Sequence, residues 1–199
     1  MHTKRRILTT GVAAVVAALA VVPITAAAGF AQRLTVDDGR GDMAKIEEGA
    51  KVTEPAPDAT IGDFVRTRFR HTDRRVVVRA KFVELNPTGR RFRLWVDVQD
   101  GQGRTSILGV DASRRDRDGH TILMTDRGRD IPCRVAHRID YGRNFVRVAV
   151  PRHCLGTPAV VGFRVLSEHV RRDWNYAWLD NGLSPEIDDR RWTERLRRG

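Results

Sequence analysis

Residues 91–99 read RFRLWVDVQ, and this stretch decides the fold class. Every second position in it is apolar, at Phe92, Leu94, Val96 and Val98. Successive side chains of a β-strand point to opposite faces, so a period of two places all four on the same face. The pattern therefore predicts a strand with one buried face.

Comparable apolar runs recur along the chain, separated by turn sequences such as Asn86-Pro87-Thr88-Gly89. The predicted strands are Ile61–His71, Arg75–Leu85, Arg91–Gln99, Arg104–Val110, His120–Thr125, Cys133–Tyr141, Asn144–Val150, Val160–Val170 and Arg171–Leu179. Strands at this spacing, joined by hairpin-length turns, favour antiparallel pairing over alternating βαβ units. We therefore expect an all-β, jelly-roll-like antiparallel β-sandwich of about eight or nine strands.

The sandwich domain is expected to cover residues 60–182, with a different segment on each side of it. Residues 32–59 contain no aromatic side chain and several acidic or glycine-rich stretches, which predicts a flexible linker or arm. At the other end, Ser184-Pro185-Glu186 resembles a helix start with an N-cap, a proline and an acid in the first turn. Residues 183–199 are therefore expected to form a short C-terminal helix or tail.

The first 31 residues, MHTKRRILTTGVAAVVAALAVVPITAAAGFA, have the layout of an export signal. Basic residues come first, an uncharged apolar run follows, and small residues close the segment. We expect cleavage near Ala28 or Ala31 and a secreted or extracytoplasmic protein without a membrane span. The alternative is an uncleaved anchor, because the run is about as long as the roughly 20 residues that a bilayer requires.

The two cysteines, Cys133 and Cys154, predict one disulfide, because a pair without leftover thiols is typical of exported domains. Metal ligation with the nearby His137 and His153 is the alternative. Thiolate zinc sites generally use three or four ligands at closer spacing. We predict neither a metal site nor a cofactor.

Two longer stretches carry a resemblance. Residues 71–85, HTDRRVVVRAKFVEL, and residues 138–156, RIDYGRNFVRVAVPRHCLG, precede an arginine-rich end that contains tryptophan. Together they resemble small exported β-sandwich proteins of actinobacteria that have no assigned activity. The resemblance covers about residues 60–199 and implies a fold and an extracytoplasmic location. It implies no active-site residues.

No catalytic signature is recognisable, so no catalytic residue is predicted. The serines lie outside any Gly-x-Ser-x-Gly or Ser-x-x-Lys motif, and both cysteines are assigned to the disulfide. Asp97 and Glu84 are a candidate carboxylate pair for glycoside hydrolysis, although acids are common throughout the chain. Residues 111–119 partly resemble a calcium loop, but interleaved arginines oppose cation capture. A secreted hydrolase with a dispersed site remains the alternative function.

The aromatic residues Trp174, Tyr176 and Trp178 are spaced to share one face of a strand. We consider two interpretations of this stripe. It is either the inward face of a core strand or, together with Trp95, a platform that stacks on the sugar rings of a polysaccharide.

The charge is strongly basic, with 36 Lys and Arg against 25 Asp and Glu and a net charge of +11 at pH 7. Arginines alternate with aliphatic residues at Arg66, Arg68 and Arg70 and again at Arg134, Arg138 and Arg147, so one sheet face is expected to be basic. Most of this charge is consistent with a solvated surface. No motif for specific nucleic-acid binding accompanies it. The sequence thus favours a non-enzymatic, exported module that binds carbohydrate or an anionic cell-wall polymer.

Overall fold

The computed structural model describes residues 32–86, 91–170 and 175–199. In these ranges the chain forms thirteen β-strands and one 3-10 turn at Arg152–Leu155. The strands are β1 (Gln32–Asp37), β2 (Ala44–Glu47), β3 (Glu54–Pro55), β4 (Phe64–His71), β5 (Arg75–Phe82), β6 (Arg91–Asp100), β7 (Thr105–Ser113), β8 (His120–Thr125), β9 (Ala136–Asp140), β10 (Phe145–Pro151), β11 (Val160–Val170), β12 (Tyr176–Asn181) and β13 (Leu196–Arg197).

Four expectations fall wholly or partly outside these ranges. They are the export signal over residues 1–31, the turn Asn86-Pro87-Thr88-Gly89, the beginning of the predicted strand Arg171–Leu179, and Trp174 of the aromatic stripe. Within the described ranges, the chain contains no helix with the length and apolar character that crossing a bilayer requires.

The strands form two sheets, and all pairs between named strands are antiparallel. The five-stranded sheet has the order β1-β4-β5-β10-β9, and the eight-stranded sheet has the order β3-β2-β12-β11-β6-β7-β8, with β13 paired to β11. Most neighbours in a sheet are consecutive in the chain, as expected for short hairpin connections. The predicted all-β antiparallel architecture is confirmed, whereas the jelly-roll-like connectivity stays a prediction.

A single apolar core joins the two sheets. Phe69 of the five-stranded sheet stacks on Phe163 of the eight-stranded sheet with ring centroids 4.5 Å apart. Phe82 contacts Phe92 across the same interface at 5.5 Å. In β6, buried and half-buried residues alternate along the whole strand, as the period of two predicted. Face-to-face sheets around one core are consistent with a β-sandwich.

Residues 32–59 differ from the flexible linker expected there, because they contribute strands β1 to β3. All six residues of β1 pair with β4, and Leu34 and Val36 pack against the core. The local composition contains too little apolar surface to predict this order. Pairing with an existing sheet edge supplies the backbone hydrogen bonds that the segment cannot make by itself.

The C-terminal helix expected after Ser184 does not form. Residues 183–195 run in irregular conformation, and β13 follows them. Thr193 makes two hydrogen bonds with the backbone of Phe163 in β11. The Thr193 N–H donates to the Phe163 carbonyl, and the Thr193 hydroxyl accepts from the Phe163 N–H. The backbone groups are therefore satisfied by β11 rather than within a helical turn, and tertiary pairing overrides the local helix-start signal.

The predicted disulfide between Cys133 and Cys154 is confirmed, with the two Cα atoms 6.0 Å apart. Cys154 lies in the 3-10 turn after β10, and Cys133 lies in the segment before β9. The bond closes a loop with a sequence separation of 21 residues around the β9–β10 hairpin. It therefore fastens an edge of the five-stranded sheet.

Reduction of this disulfide is expected to lower the free energy of unfolding by about 3 kcal/mol, because the unfolded chain regains the entropy of the open loop. Urea unfolding with and without reductant measures the difference. The double variant Cys133→Ser/Cys154→Ser is the control and should match the reduced protein in either condition. An unfolding midpoint that reductant leaves unchanged in the unsubstituted protein would contradict a stabilising bond.

Candidate functional site

The aromatic residues Tyr176 and Trp178 lie on the face of β12 that points between the sheets. Trp178 is paired with His169 of β11, and their rings stack with centroids 5.5 Å apart. His169 is paired in turn with Phe92, which is 1% exposed in the core. Directly paired residues share a sheet face, so the described part of the stripe faces inward.

Trp95 lies on the opposite face of the same sheet. It alternates with the buried Leu94 and Val96, and its indole lies against Gly109, where an added Cβ atom would be 2.7 Å from the ring. The indole N–H donates to Glu168 at 3.3 Å. Trp95 therefore cannot form a single platform with Tyr176 and Trp178.

The outer face of the eight-stranded sheet carries many charges, but they are paired with one another. Arg93 bridges Asp111 and Glu168, with N–O distances of 3.1 Å to each. Asp97 accepts from Arg164 at 2.6 Å. Beside these pairs, Trp95, Arg164 and the 187–190 segment line a cavity of about 490 Å³. This face is electrostatically balanced.

The outer face of the five-stranded sheet is different, because it carries a row of arginines across four adjacent strands. In the register, Arg68 of β4 is opposite Arg79 of β5, Arg79 is opposite Arg147 of β10, and Arg147 is opposite Arg138 of β9. We call these four residues the arginine row. All four are exposed, and neighbouring strands lie about 4.8 Å apart, so the row is about 14 Å long.

Further cations surround the arginine row on the same face. They are Arg33, Arg66, Arg70 and Lys81. Arg66 and Arg68, with Arg79 and Lys81 opposite them, line a shallow depression of about 320 Å³. The face is therefore a two-dimensional array of positive charge rather than a single line.

Acidic residues neutralise this array only at its margins. Asp37 of the edge strand β1 pairs with Arg66, and Asp140 of the edge strand β9 pairs with Arg138. Among the described residues, no carboxylate lies within ion-pair distance of Arg68, Arg79 or Arg147. Like charges directly opposite each other destabilise a sheet. The centre of the face thus keeps an uncompensated positive potential at a cost to stability.

A second charged group lies where the β1–β2 loop meets the start of β4 and the end of β12. It consists of Asp38, Asp42, Asp63 and Asp180, and we call it the acidic cluster. Carboxylate oxygens of Asp38, Asp42 and Asp180 lie within 4.8 Å of one another. Asp63 is close enough that its charge raises the pKa of both Asp38 and Asp180.

Backbone N–H groups hold one oxygen of three of these carboxylates. The N–O distances are 3.1 Å from Gly39 to Asp38, 3.0 Å from Gly41 to Asp63 and 2.5 Å from Phe64 to Asp180. The second carboxylate oxygen of Asp38, Asp63 and Asp180 is buried without a hydrogen-bond partner. One oxygen of Asp42 is buried in the same way. The cluster therefore has preoriented carboxylates whose remaining oxygens lack donors.

Burial raises the pKa of every member of the acidic cluster. For Asp38, burial and then the neighbouring charge of Asp42 raise the pKa to about 7. For Asp180, burial is again the main cause, and with the three other carboxylates it raises the pKa to about 8. Burial also raises the pKa of Asp42 and of Asp63. Four carboxylates at this distance cannot all ionise without a compensating positive charge.

The acidic cluster is poorly suited to hydrolysis, although raised carboxylate pKa values are common in active sites. Asp180 is 0% exposed and Asp63 is 2% exposed, so a substrate cannot reach either carboxylate. A glycosidase also needs its two carboxyl groups separated by the scissile bond. The candidate pair of Asp97 and Glu84 is not brought together either. Asp97 lies in β6 of the eight-stranded sheet and pairs with Arg164, whereas Glu84 follows β5 of the five-stranded sheet and accepts from Thr60.

The other metal-binding alternatives are explained by local structure. In the 111–119 loop, Asp116 and Ser113 close a hydrogen-bonded turn, and Asp111 pairs with arginines of β6. Cys133 and Cys154 lie beside His153, but their sulfurs are bonded to each other and are not available as thiolate ligands.

The acidic cluster was missed in the sequence because its members come from distant segments. The only local signal is DDGRGD at residues 37–42, which supplies Asp38 and Asp42 but lies in a segment whose composition predicts a linker. Nothing in the neighbourhood of Asp63 or Asp180 indicated a shared site.

Comparisons with protein-family models, curated proteins and solved structures found nothing that matches this chain. The functional argument therefore depends on the geometry described above.

Proposed function

We propose that this protein is an exported, non-enzymatic β-sandwich module that binds an anionic polymer of the cell envelope. The arginine row is the observation that supports this proposal. Four guanidinium groups lie on adjacent strands, and three of them lack a carboxylate partner among the described residues. The export signal predicted over residues 1–31 supports an extracytoplasmic ligand.

The dimensions of the row favour an extended polymer over a small anion. Successive arginines are separated by about one strand spacing, so phosphate or carboxylate groups repeated along a chain can meet several of them together. Guanidinium groups bind both kinds of group through paired hydrogen bonds. A linear ligand lying across the strands gains several such contacts without requiring a deep pocket.

Neutral polysaccharide recognition through the aromatic stripe has weaker support. Tyr176 and Trp178 face inward, and Trp95 lies on the other side of their sheet. The cavity beside Trp95 remains a second candidate site, because an indole with nearby polar groups suits a sugar ring. The arginine row nevertheless has the stronger argument. Arg79 packs over the Phe145 ring at 4.1 Å, but Arg68 and Arg147 have no carboxylate partner among the described residues.

Binding to immobilised heparin as a model polyanion tests the proposal. We expect the variant Arg68→Gln/Arg147→Gln to elute at lower salt than the unsubstituted protein. The slope of log affinity against log salt should fall by about 2, one for each lost contact. Neither side chain makes an ion pair with a described carboxylate, so the fold should be unaffected.

The matched control is Arg127→Gln/Arg129→Gln, which removes the same charge from an exposed turn outside the five-stranded sheet. If both variants lost affinity equally, retention would reflect net charge alone and the proposed face would be wrong. Retention on a neutral polysaccharide that is abolished by Trp95→Ala, with the arginine variants unaffected, would instead support the cavity beside Trp95.

A further inference from the structure

The acidic cluster connects both sheets through the β1–β2 loop. Asp38 follows β1 of the five-stranded sheet, and Asp42 precedes β2 of the eight-stranded sheet. Asp63 precedes β4 of the five-stranded sheet, and Asp180 lies in β12 of the eight-stranded sheet. Each sheet therefore contributes two of the four residues. A ligand bound here would contact four segments that belong to both sheets.

Asp180 shows that the cluster is more than a set of neighbouring surface acids. Its side chain is 0% exposed, and its Oδ1 atom has no hydrogen-bond partner. Its other oxygen accepts a hydrogen bond from the Phe64 N–H, and a carboxylate oxygen of Asp180 lies within 4.8 Å of oxygens of Asp38 and Asp42. An isolated buried carboxylate is very costly unless a proton or a cation compensates its charge.

The spacing of the oxygens fits a single ion. Two ligands of one Ca²⁺ ion, each about 2.4 Å from it, can be at most about 4.8 Å apart. One oxygen from each of Asp38, Asp42 and Asp180 satisfies this limit with respect to the other two. Asp63 has a further buried Oδ1 atom without a partner, and it is 2% exposed.

We propose that the acidic cluster binds one Ca²⁺ ion, with Asp38, Asp42 and Asp180 as ligands and Asp63 in support. The ligand atoms are all carboxylate oxygens, and such oxygens bind hard cations in preference to softer metals. Ca²⁺ accepts several carboxylates from flexible loops, whereas Mg²⁺ usually binds one or two and keeps most of its water. The bound ion offsets two negative charges of the cluster and holds the β1–β2 loop to β4 and β12.

This site is independent of the proposed polymer binding, because the arginine row lies on the outer face of the five-stranded sheet. Heparin retention therefore tests one proposal and calcium binding tests the other.

Titration of the full chain with Ca²⁺ after treatment with chelator tests the site. We expect binding by calorimetry and a melting temperature several degrees higher in calcium than in chelator, because a ligand that binds only the folded state stabilises it. Terbium offers a second readout, since Trp178 lies two residues from Asp180 on the same face of β12 and is the expected sensitiser of its emission. Added Ca²⁺ should displace the terbium signal.

The variants Asp180→Asn and Asp42→Asn should each weaken Ca²⁺ affinity at least about tenfold, because a ligand charge is removed. In chelator, both should melt at the same temperature as the unsubstituted protein or higher, because repulsion within the cluster decreases. Asp42 is only partly buried, so its variant keeps the test valid if Asp180→Asn does not fold. Asp58→Asn, at an exposed acid of the same segment, is the matched control and should bind normally.

The proposal would be overturned if the unsubstituted protein melted at the same temperature in calcium, magnesium and chelator and gave no competed terbium signal. The cluster would then be a group of carboxylates that share protons.

Discussion

In chelator, the free energy of unfolding should fall as the pH rises from about 6.5 to 8. Asp38 and Asp180 have pKa values of about 7 and about 8 in the folded protein, against an ordinary value of 3.8. The folded state therefore holds protons in this window that the unfolded chain has already released. The stability contributed by these protons is complete below pH 3.8 and is lost as the pH rises through 7 and 8.

Other titratable groups have effects of known sign. Burial also raises the pKa of Asp42 and Asp63, so their effect on stability has the same sign, while the charge of Arg40 lowers the pKa of Asp63. His71 acts in the opposite direction, because burial lowers its pKa below the ordinary value of 6.5. Its contribution to the pH dependence ends near pH 6.5, so the effect of the carboxylates is cleanest above that value.

Each proton retained by the folded state changes stability by about 1.4 kcal/mol per pH unit, and we expect a fall of about 1–2 kcal/mol between pH 6.5 and 8. Urea unfolding at several pH values in chelator measures it. The variant Asp180→Asn should flatten the curve, since it removes one titrating group. A stability that is constant or increases over this window would contradict a buried, protonated cluster.

The variant Phe82→Ala should lose about 3–5 kcal/mol of unfolding free energy. Phe82 is 1% exposed at the end of β5, and its ring lies 4.8 Å from Phe64 and 5.5 Å from Phe92. Phe92 belongs to the other sheet, so removing the ring opens a cavity at the interface between them. Loss of apolar burial and incomplete collapse of that cavity add together.

Urea denaturation followed by tryptophan fluorescence measures this loss. Phe82→Leu keeps most of the apolar volume and should cost clearly less than the alanine variant. Val52→Ala, at a side chain that is 76% exposed, should be nearly neutral. A Phe82→Ala protein with unchanged stability would mean that the two sheets do not meet through this aromatic cluster.

The strands were predictable because their signal is local. The predicted runs correspond to β4 through β12, and those at His120–Thr125 and Val160–Val170 have the same bounds in the structure. Alternation along β6 and the turn residues between runs are properties of neighbouring positions. The disulfide was predictable for a similar reason, since two cysteines allow only one pairing.

The errors at both ends of the chain have the opposite cause. β1 has little apolar character of its own, and it is ordered by pairing with β4. After Ser184, a local helix-start signal was present, but hydrogen bonds to β11 were available and were formed instead. In each case a partner distant in the sequence determined the backbone conformation.

The sequence by itself determined that this protein is built from antiparallel strands, carries one disulfide and has an excess of arginine. Only the tertiary structure decided the strand register and sheet order, because these depend on contacts between residues far apart in the chain. Register aligns Arg68, Arg79, Arg147 and Arg138 into one exposed row, whereas the sequence shows only scattered basic residues. The same long-range packing brings Asp180 to the β1–β2 loop. It thereby forms a carboxylate cluster from residues that no sequence motif connects.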